Sequence, residues 1–339
     1  MKKYLLIGKC RTIKQPGNAG GVIVLFEQLI NDFDEHDLPY RLIDLNFRNN
    51  LFKLYAIIAI YLRILITIPK IDIIFFNGTD QEYKFYSWYL VFLSKTFGKK
   101  VILRKFAGNF HDYYENKLGF FSKKLVNYAL RKADLNYFET KYLISHFASI
   151  ANNAKWLPNI RKRQPQVHSK KYSKKFIFIG HVTELKGITE ILKAKQSLGS
   201  DFTIDIFGPK NYNCPDNLKH DFKRAYKGIL SRNEVIKTLQ QYDVLLLPSF
   251  YPGEGYPGVI IEALSAGLPV IVTPLDGIKE MIQENKSGLF VEQRNYMDLI
   301  EKIKSITIDN YNPLSEGAFK AFECFDSKKV MKRIFSEIK

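Results

Sequence analysis

The chain repeats one pattern twice: short apolar runs of strand length alternate with longer amphipathic stretches. In the first half, runs bounded by Gly, Asn, Asp or Pro predict strands at Lys3–Gly8, Tyr40–Leu45, Ile71–Phe76, Val101–Arg104 and Leu135–Glu139. Because strands that alternate with helices pair in parallel, a doubly wound parallel sheet is expected. The fold class predicted from this half is therefore α/β.

A polar segment separates this pattern from its second occurrence. Residues 161–175, RKRQPQVHSKKYSKK, have almost no apolar side chain, which is typical of a linker. Beyond it, strands are expected at Phe176–Gly180, Phe202–Gly208, Ala225–Leu230, Val244–Pro248, Val270–Thr273 and Gly288–Val291. Helices are expected at Gly187–Leu198, Ser231–Gln241, Tyr296–Ile306 and Ser327–Ile338.

The length of 339 residues fits two cores of roughly 150 residues each. The sequence thus predicts two Rossmann-like domains, residues 1–165 and residues 172–325. Residues 326–339 are expected to form a C-terminal helix that can pack back on the first domain.

Composition narrows the kinds of partner. Lys and Arg number 51 against 34 Asp and Glu, and the net charge of +17 favours a phosphate-bearing substrate, a membrane surface or nucleic acid. No nucleic-acid-binding motif accompanies this charge, so no nucleic-acid partner is expected. The three cysteines are far apart, which argues against a disulfide framework and a clustered metal site. Residues 1–14 hold only a short apolar run, so we expect no cleavable signal and a cytoplasmic protein.

Residues 251–272, YPGEGYPGVIIEALSAGLPVIV, place Glu254 and Glu262 on either side of a predicted helix start. Pro257 suits the first turn of that helix, and Gly267 suits a left-handed cap at its end. The helix follows a strand, so its free N–H groups lie where open α/β sheets bind ligands and favour a phosphate. Glu262 projects away from the apolar face, and two ribose hydroxyls would suit its carboxylate. Glu254 lies at the mouth of the loop, near whatever the phosphate carries.

Residues 253–277, GEGYPGVIIEALSAGLPVIVTPLDG, resemble the E-x7-E signature of the retaining glycosyltransferases of family 4 (group 1). The fold of that family is GT-B, in which two Rossmann-like domains face each other across a cleft. The resemblance implies that Glu254 contacts the sugar of a nucleotide-diphosphate sugar and that Glu262 holds its ribose. It also implies backbone contacts to the sugar hydroxyls and the diphosphate from Gly255, Tyr256, Pro257, Gly258 and Val259.

Two glycine-containing loops extend the resemblance. FIFIGHVTELKGITEILKA, residues 176–194, is similar to the family's diphosphate-binding stretch with its Gly-Arg and Lys-Gly pairs. Here Lys186 is kept, whereas His181 follows Gly180 where the family has arginine, and a histidine can be neutral at pH 7. QPGNAGGVIVLFEQLI, residues 15–30, resembles the loop whose glycines let backbone approach the reacting sugar, here Gly20 and Gly21.

A histidine and a short turn complete the resemblance. RKFAGNFHDYY, residues 104–114, carries His111 at about the position of a histidine that lies beside the donor sugar in the family. The simpler interpretation is a half-buried histidine that is satisfied by Asp112 or a backbone group. LPNI, residues 157–160, resembles the family's Pro-Asn turn before the linker.

The resemblance implies a retaining transfer in which His111, Glu254 and Lys186 are catalytic. The first domain shows no convincing carboxylate nucleophile, so a front-face route is expected in which the leaving diphosphate helps to deprotonate the acceptor. Lys186, His181 and the helix N-terminus would stabilise the developing charge. No visible ligand cluster requires a metal, and no cofactor is expected besides the nucleotide-sugar donor.

Two other functions share this fold and stay open. One is a non-catalytic nucleotide-sugar-binding relic, for which the replacement of arginine by His181 is the supporting feature. The other is a sugar-nucleotide epimerase, which would use a similar diphosphate site but has no signature of its own here.

Residues 51–69, LFKLYAIIAIYLRILITIP, form the most apolar stretch, but Lys53 and Arg63 interrupt it and it lies between two strands of one sheet. The simpler prediction is a crossover helix buried against that sheet. The alternative keeps this helix in the fold but lays its outer face, with Tyr55 and Tyr61, on an anionic cytoplasmic leaflet. Such a peripheral position would bring the enzyme to a lipid-linked acceptor in surface polysaccharide biosynthesis.

Overall fold

The structure is a computed structural model that describes residues 2–10, 21–46, 53–106, 108–165 and 171–338, with side chains from residue 55 onward in the third range. Its internal contacts divide the chain into two compact units, Met1–Pro158 and Asn159–Lys339. The division falls inside the predicted first domain of residues 1–165, so the Pro-Asn turn is split between the units.

Among the described residues, unit 1 contains a six-stranded sheet in the order β2-β1-β3-β4-β5-β6. All neighbouring strands pair in parallel. Its strands are β1 (Tyr4–Gly8), β2 (Tyr40–Asp44), β3 (Ile73–Gly78), β4 (Lys100–Lys105), β5 (Leu135–Phe138) and β6 (Ala154–Trp156). The first five follow the predicted runs, and β6 was not predicted.

The helices of unit 1 are α1 (Gly21–Glu35), α2 (Lys53–Thr67), α3 (Asp80–Glu82), α4 (Trp88–Thr96), α5 (Phe110–Asp112), α6 (Phe120–Lys132) and α7 (Lys141–His146). A 3-10 turn follows α2 at Ile68–Lys70, and π-helical turns lie at Tyr83–Ser87 and Tyr113–Lys117. Helices α2, α4 and α6 share one apolar core with the sheet, to which they contribute Ile64, Leu90 and Val126. The apolar stretch therefore forms a crossover helix between β2 and β3. In the described ranges, no helix combines the length and the apolarity that crossing a bilayer requires.

The described part of unit 2 contains a five-stranded sheet in the order β11-β10-β9-β7-β8, again parallel throughout. Its strands are β7 (Lys175–Ile179), β8 (Thr203–Phe207), β9 (Val244–Leu247), β10 (Val270–Val272) and β11 (Gly288–Phe290). The predicted strand Ala225–Leu230 is wrong, because a helix runs to Ala225 and only Tyr226 forms a bridge, to Ile206.

The helices of unit 2 are α8 (Ile188–Ser197), α9 (Lys219–Ala225), α10 (Arg232–Leu239), α11 (Gly258–Ser265), α12 (Asp276–Met281), α13 (Tyr296–Ser305), α14 (Ile308–Phe322) and α15 (Ser327–Ile338). Short 3-10 turns lie at Glu184–Lys186, Asp216–Leu218 and Glu323–Phe325. The last helix has the predicted bounds and groups with unit 2. Its packing on the first domain stays a prediction. Both units thus show the Rossmann-like arrangement of a parallel sheet with helices.

Candidate functional site

The predicted helix start near residue 257 lies at the carboxyl end of the unit 2 sheet. Strand β9 ends at Leu247, and α11 begins at Gly258 with Pro257 as the preceding cap residue. The helix thus starts one residue later than Pro257 suggested. Gly267 follows its end with φ +74°, so the predicted left-handed cap is confirmed.

Glu254 is paired inside the loop between β9 and α11. Its Oε1 atom contacts Lys186 Nζ and also accepts a hydrogen bond of 2.9 Å from Ser249 Oγ. Only 8% of the Glu254 side chain is exposed. Lys186 Nζ also lies 5.0 Å from the centre of the Tyr251 ring. The structure therefore brings together two residues that the sequence assigned to the sugar and to the diphosphate.

A close approach between two loops sets the position of Lys186. The residue ends the 3-10 turn Glu184–Lys186, and Gly187 then adopts φ +75° before α8 begins. A Cβ atom on Gly187 would lie 2.3 Å from the carbonyl oxygen of Pro248, immediately after β9. Glycine is required at this point, because it permits both the positive φ and the contact between the loops.

Glu262 is paired with an arginine that was taken as part of a solvated linker. Arg161 Nε lies 2.7 Å from Glu262 Oε1, and the two side chains are 17% and 19% exposed. Sequence reasoning missed Arg161 because its partner is 101 residues away. The signal available was its place directly after the Pro-Asn turn, which the resemblance had already marked.

The backbone between the two glutamates is held from two sides. Tyr256 is buried, its hydroxyl donates to Glu280 Oε2, and its carbonyl accepts a bond of 3.1 Å from Asn159 Nδ2. The carbonyl oxygen of Gly255 lies 2.3 Å from the place where a Cβ on Gly277 would be. Val259 is half-buried in the first turn of α11. The segment assigned to sugar hydroxyls is therefore held by contacts within unit 2.

Gly180 and His181 lie just beyond the carboxyl end of β7, in the segment that leads to Lys186. Gly180 donates its N–H to the carbonyl of Phe207 at 3.1 Å, and the His181 side chain is exposed. An exposed imidazole can reach a bound anion, but it is not held in one orientation as a buried arginine would be. The contribution of His181 to a diphosphate stays a prediction.

The site residues predicted in unit 1 have different outcomes. Gly20 lies outside the described residues, and Gly21 is the first residue of α1, where no atom of the described residues beyond its chain neighbours and the backbone of its own helix lies within 4 Å of an added Cβ. His111 is half-buried in α5, with its ring centre 4.9 Å from that of Tyr142 and 5.7 Å from that of His146. Within the described residues, its buried Nδ1 atom has no hydrogen-bond partner. In the structure, neither Asp112 nor a backbone group bonds to Nδ1 of His111. The role of His111 beside the sugar stays a prediction.

Two buried cations at the end of β4 were not predicted as part of any site. Lys105 Nζ lies 2.8 Å from Asp80 Oδ1, and burial lowers the pKa of this lysine. The Arg104 guanidinium lies 4.5 Å from the centre of the Phe106 ring and donates to the carbonyl of Pro158 at 3.2 Å. Burial lowers the pKa of Arg104 to about 10, so its guanidinium stays charged at neutral pH. Both cations have acidic neighbours: Asp80 lies beside Lys105, and Glu139 and Asp32 interact with Arg104.

Among the residues that the structure describes, no group of three or more His, Cys, Asp or Glu side chains could hold a metal ion.

Comparison with known proteins points to one family. Residues 159–319 match the family model described as glycosyl transferases group 1. An uncharacterized glycosyltransferase of Haemophilus influenzae is 25% identical over 214 residues, which are 60% of this chain and 58% of that protein. A Campylobacter jejuni N,N'-diacetylbacillosaminyl-diphospho-undecaprenol alpha-1,3-N-acetylgalactosaminyltransferase is 28% identical over 128 residues, 37% of this chain and 33% of that protein. A putative colanic acid biosynthesis glycosyltransferase of Salmonella typhimurium is 30% identical over 165 residues, 43% of this chain and 39% of its own length.

The matched regions therefore span less than two thirds of the length of these relatives. Solved structures extend the likeness over the whole chain. The Anabaena protein HepE in complex with UDP has a TM-score of 0.73 at 14% identity and covers 99% of both chains. A sucrose-phosphate synthase from Thermosynechococcus elongatus has a TM-score of 0.74 at 14% identity, covering 100% of this chain and 99% of the other. At such identity the likeness concerns the fold. Together these matches bear out the resemblance: the chain has the GT-B fold, and its residues 159–319 match the model of the group 1 glycosyltransferases.

Proposed function

We propose that the protein is a retaining glycosyltransferase that moves a sugar from a nucleotide-diphosphate sugar to a hydroxyl of a saccharide or lipid-linked saccharide acceptor. The observation that carries this proposal is the arrangement of two carboxylates around the start of α11, Glu254 paired with Lys186 and Glu262 paired with Arg161. A helix start offers unpaired N–H donors to a diphosphate, and carboxylates accept bonds from sugar and ribose hydroxyls. The arrangement thus has a matching group for each part of a nucleotide sugar.

In this proposal the diphosphate lies against the amides of Gly258 and Val259, with Lys186 and His181 as sources of positive charge. Glu262 accepts the ribose hydroxyls, and Glu254 accepts hydroxyls of the donor sugar. Because Lys186 already contacts Glu254, one cation can serve the sugar-binding carboxylate and the leaving group at the same time. His111, Gly20 and Gly21 are assigned to the acceptor and the reacting sugar only by the resemblance.

The reaction we propose breaks the bond between the anomeric carbon and the diphosphate oxygen. The acceptor oxygen forms its new bond to the anomeric carbon on the same face, so the configuration is retained. The acceptor proton passes to an oxygen of the leaving diphosphate, and nucleoside diphosphate is released. Lys186 and the N–H groups of α11 stabilise the charge that develops on the leaving group, so we propose that no metal is required.

Two comparisons support the choice of substrates. The HepE structure contains UDP, which is the nucleoside diphosphate expected of such a donor. The printed name of the Campylobacter jejuni relative specifies a diphospho-undecaprenol acceptor, and the Salmonella typhimurium relative is placed in colanic acid biosynthesis. We therefore propose a role in the biosynthesis of a surface polysaccharide.

Transfer assays test the proposal. The protein is incubated with UDP-, GDP- and ADP-sugars and a panel of saccharide and polyprenyl-diphosphate saccharide acceptors, and released nucleotide is measured. The anomeric configuration of the product is read by NMR. We expect acceptor-dependent release and a retained configuration, both lost in Glu254→Gln and kept in Glu301→Gln, a control at an exposed position of α13. An inverted product would rule out the front-face route.

The same assay separates the two alternatives. A nucleotide-sugar-binding relic would bind the donor but release no nucleotide with any acceptor. An epimerase would change the sugar of the donor without an acceptor and without releasing nucleotide. The binding relic stays an alternative because the exposed His181 stands where the family has arginine.

We also propose that unit 1 contacts the inner, cytoplasmic leaflet of the cell membrane through one apolar surface. We call it the apolar platform and define it by the exposed residues Tyr55, Ile58, Leu62, Leu65 and Ile66 of α2, Phe85 and Phe92 beside and on α4, and Phe120, Phe121 and Leu125 of α6. Tyr55 is 72% exposed and Phe121 is 79% exposed, although burying such side chains is favourable. Apolar patches of this extent on soluble proteins usually mark an interaction site.

Tyr61 corrects the expected composition of this surface. Its side chain packs against the core of unit 1, and its hydroxyl donates to the carbonyl of Phe85 at 2.6 Å. Tyr89 in turn donates to the carbonyl of Tyr61 at 3.2 Å. Tyr61 thus joins α2 to the segment that includes Phe85 and to α4.

The charges around the apolar platform favour an anionic bilayer as its partner. Helices α2 and α6 contain no Asp or Glu, whereas Arg63 lies on the exposed face of α2 and Lys124 lies over the ring of Phe120 at 4.3 Å. Basic residues near a membrane surface each gain about 1 kcal/mol from anionic lipids. Aromatic rings with adjacent lysines suit the region of the lipid headgroups.

A further inference from the structure

The segment Asn159–Arg161 is fixed against the rest of unit 2 by its backbone. Arg161 donates its N–H to the carbonyl of Phe325 at 3.0 Å, and its own carbonyl accepts a bond of 2.8 Å from the N–H of Ser327. These bonds anchor Arg161 at the start of α15. The side chain of Arg161 therefore extends from a backbone that is hydrogen-bonded on both its N–H and its carbonyl.

The guanidinium of Arg161 is held by three acceptors. Nε donates to Glu262 Oε1 at 2.7 Å, and Nη1 donates to Asn159 Oδ1 at 2.6 Å and to the carbonyl of Ile160 at 2.9 Å. Asn159 is itself bonded to the carbonyl of Tyr256 at 3.1 Å. A continuous set of hydrogen bonds thus connects the residues before α11 with the carboxylate on that helix.

The amino acid at the first position of α11 is adapted to this guanidinium. A Cβ atom on Gly258 would lie 2.1 Å from Arg161 Nη2, so a larger residue at this position would require the guanidinium to move. The start of a helix carries partial positive charge and disfavours a cation. Attraction to Glu262, with both side chains mostly shielded from water, is what offsets this repulsion.

We infer that Arg161 is a positioning residue that holds the carboxylate of Glu262 in the orientation in which it accepts the ribose hydroxyls of the donor. The inference rests on the proposed function, in which Glu262 binds the ribose. A carboxylate has two oxygens with about four acceptor sites, so the bond from Nε leaves room for two hydroxyl donors. Arg161 fixes which of those sites face the ligand. It also lowers the side-chain entropy that Glu262 loses when the nucleotide binds.

Two other roles would place Arg161 differently. The guanidinium could bind the diphosphate directly, or it could have the purely structural role of fastening residues 159–161 to the rest of unit 2. A direct phosphate contact does not depend on the ribose hydroxyls. A purely structural role changes the free energy of unfolding and has no specific effect on the affinity for nucleotides. Nucleotides that differ only in these hydroxyls can therefore separate the three roles.

The test measures nucleotide affinity by calorimetry. UDP, GDP and ADP are screened on the wild-type protein, and the tightest is used together with its 2′,3′-dideoxy analogue. The variants are Arg161→Gln, Arg161→Lys and Glu262→Gln, with the double variant Arg161→Gln/Glu262→Gln. Arg163→Gln is the matched control, because Arg163 lies two residues further and pairs with Asp326 at 3.0 Å rather than with Glu262.

We expect Arg161→Gln to weaken binding of the natural nucleotide by roughly tenfold, as loss of one charged hydrogen bond would. Arg161→Lys is expected to restore part of the affinity, and Arg163→Gln to leave it unchanged. Binding of the dideoxy analogue is expected to be the same in the wild type and in Arg161→Gln. In the Glu262→Gln background, Arg161→Gln is expected to have no further effect. If Arg161→Gln does not fold, Arg161→Lys with the two nucleotides gives the same comparison.

Equal losses for the natural and the dideoxy nucleotide would overturn the inference in favour of a direct phosphate contact. Unchanged affinity in folded Arg161→Gln would overturn it as well, and the proposed function would stand. A wild-type protein that binds none of the three nucleotides would overturn the proposed function, and this inference with it.

Discussion

Single residues of the site are arranged as pairs whose members depend on each other. Glu254 is more buried than Glu262, with 8% against 19% of the side chain exposed, and its partner Lys186 is 19% exposed. Removing one member of a shielded pair leaves the other charge without compensation, which costs more than the pair contributes. Stability and activity can therefore be separated by changing one or both members.

We expect Lys186→Met to lower the free energy of unfolding by about 1–3 kcal/mol, because Glu254 then stays charged and unpaired. Lys186→Met/Glu254→Gln should recover most of this loss, since neither charge remains, but should stay inactive in transfer. Urea unfolding and the nucleotide-release assay measure the two properties. A double variant as unstable as Lys186→Met would contradict the coupling of the two residues.

The two glutamates should have different effects on the donor. Glu262→Ala is expected to weaken nucleotide binding by about 1.5–3 kcal/mol, because ribose hydroxyls lose a charged acceptor. Glu254→Ala is expected to reduce turnover mainly, since its proposed contact is the sugar. Calorimetry with the nucleotide and steady-state kinetics with the donor separate them. Unchanged nucleotide affinity in a folded Glu262→Ala protein would show that the ribose assignment is wrong.

At the residue scale, the spacing around a predicted helix start selected Glu254 and Glu262, and the family resemblance selected Lys186. Arg161 could not be selected in this way. Its contact with Glu262 joins residues 101 positions apart, and a basic residue in a polar stretch is normally solvated. Only the folded backbone around Phe325 and Ser327 places it.

Among the secondary-structure elements, the turn before α8 should be sensitive to a single methyl group. Gly187→Ala places a Cβ 2.3 Å from the Pro248 carbonyl oxygen at φ +75°, so a loss of at least about 1–2 kcal/mol of unfolding free energy is expected. Gly199→Ala is the control, because no atom lies within 4 Å of its added Cβ. Denaturant unfolding of both variants gives the comparison, and equal stabilities would contradict the close approach.

The apolar platform gives a prediction at the level of helices. Ile58→Ser/Leu62→Ser and Phe120→Ser/Phe121→Ser are each expected to reduce binding to anionic liposomes, because exposed apolar side chains enter the headgroup region. Ile229→Ser, at a position 63% exposed in unit 2, should not change binding. Co-sedimentation at low and high salt is the measurement, with neutral liposomes alongside. If the wild-type protein shows no salt-sensitive binding to anionic vesicles, the proposed membrane contact is wrong.

Elements with a strong periodic pattern were predictable, and those set by tertiary contacts were not. The apolar repeat of Ser327–Ile338 gave the bounds of α15 directly. Strand β6 has only the three residues Ala154–Trp156 and owes its conformation to pairing with β5. The run Ala225–Leu230 contains strand-forming residues, but its first residue ends α9 and its backbone adds a single bridge to β8. Short segments thus follow their neighbours more than their own composition.

For the whole molecule, the proposal that Lys186 and helix amides carry the leaving-group charge leads to a prediction on metal ions. Transfer is expected to persist in excess EDTA at its rate without the chelator. The nucleotide-release assay with EDTA, and then with added magnesium or manganese, is the measurement. Complete loss of activity that either metal restores would contradict a reaction driven by the protein's own charges.

Across the whole chain, the strand–helix alternation was sufficient to predict two Rossmann-like domains, because parallel sheets require crossover connections. The alternation could not predict at which residue the chain divides between the two units. Arg161 begins the stretch that looks like a solvated linker by composition, yet it bonds to Glu262, and Asn159 just before it bonds to Tyr256, so both group with unit 2. The division depends on these contacts and not on polarity.

The uneven distribution of exposed apolar side chains affects how the protein should be handled in solution. Of the seventeen large apolar residues that are exposed in the described ranges, twelve lie between Tyr55 and Tyr142 in unit 1. In a concentrated aqueous sample without lipid, these faces can cover one another, because self-association removes them from water. Purification yield, storage concentration and crystal quality are therefore expected to improve with a mild detergent that covers unit 1.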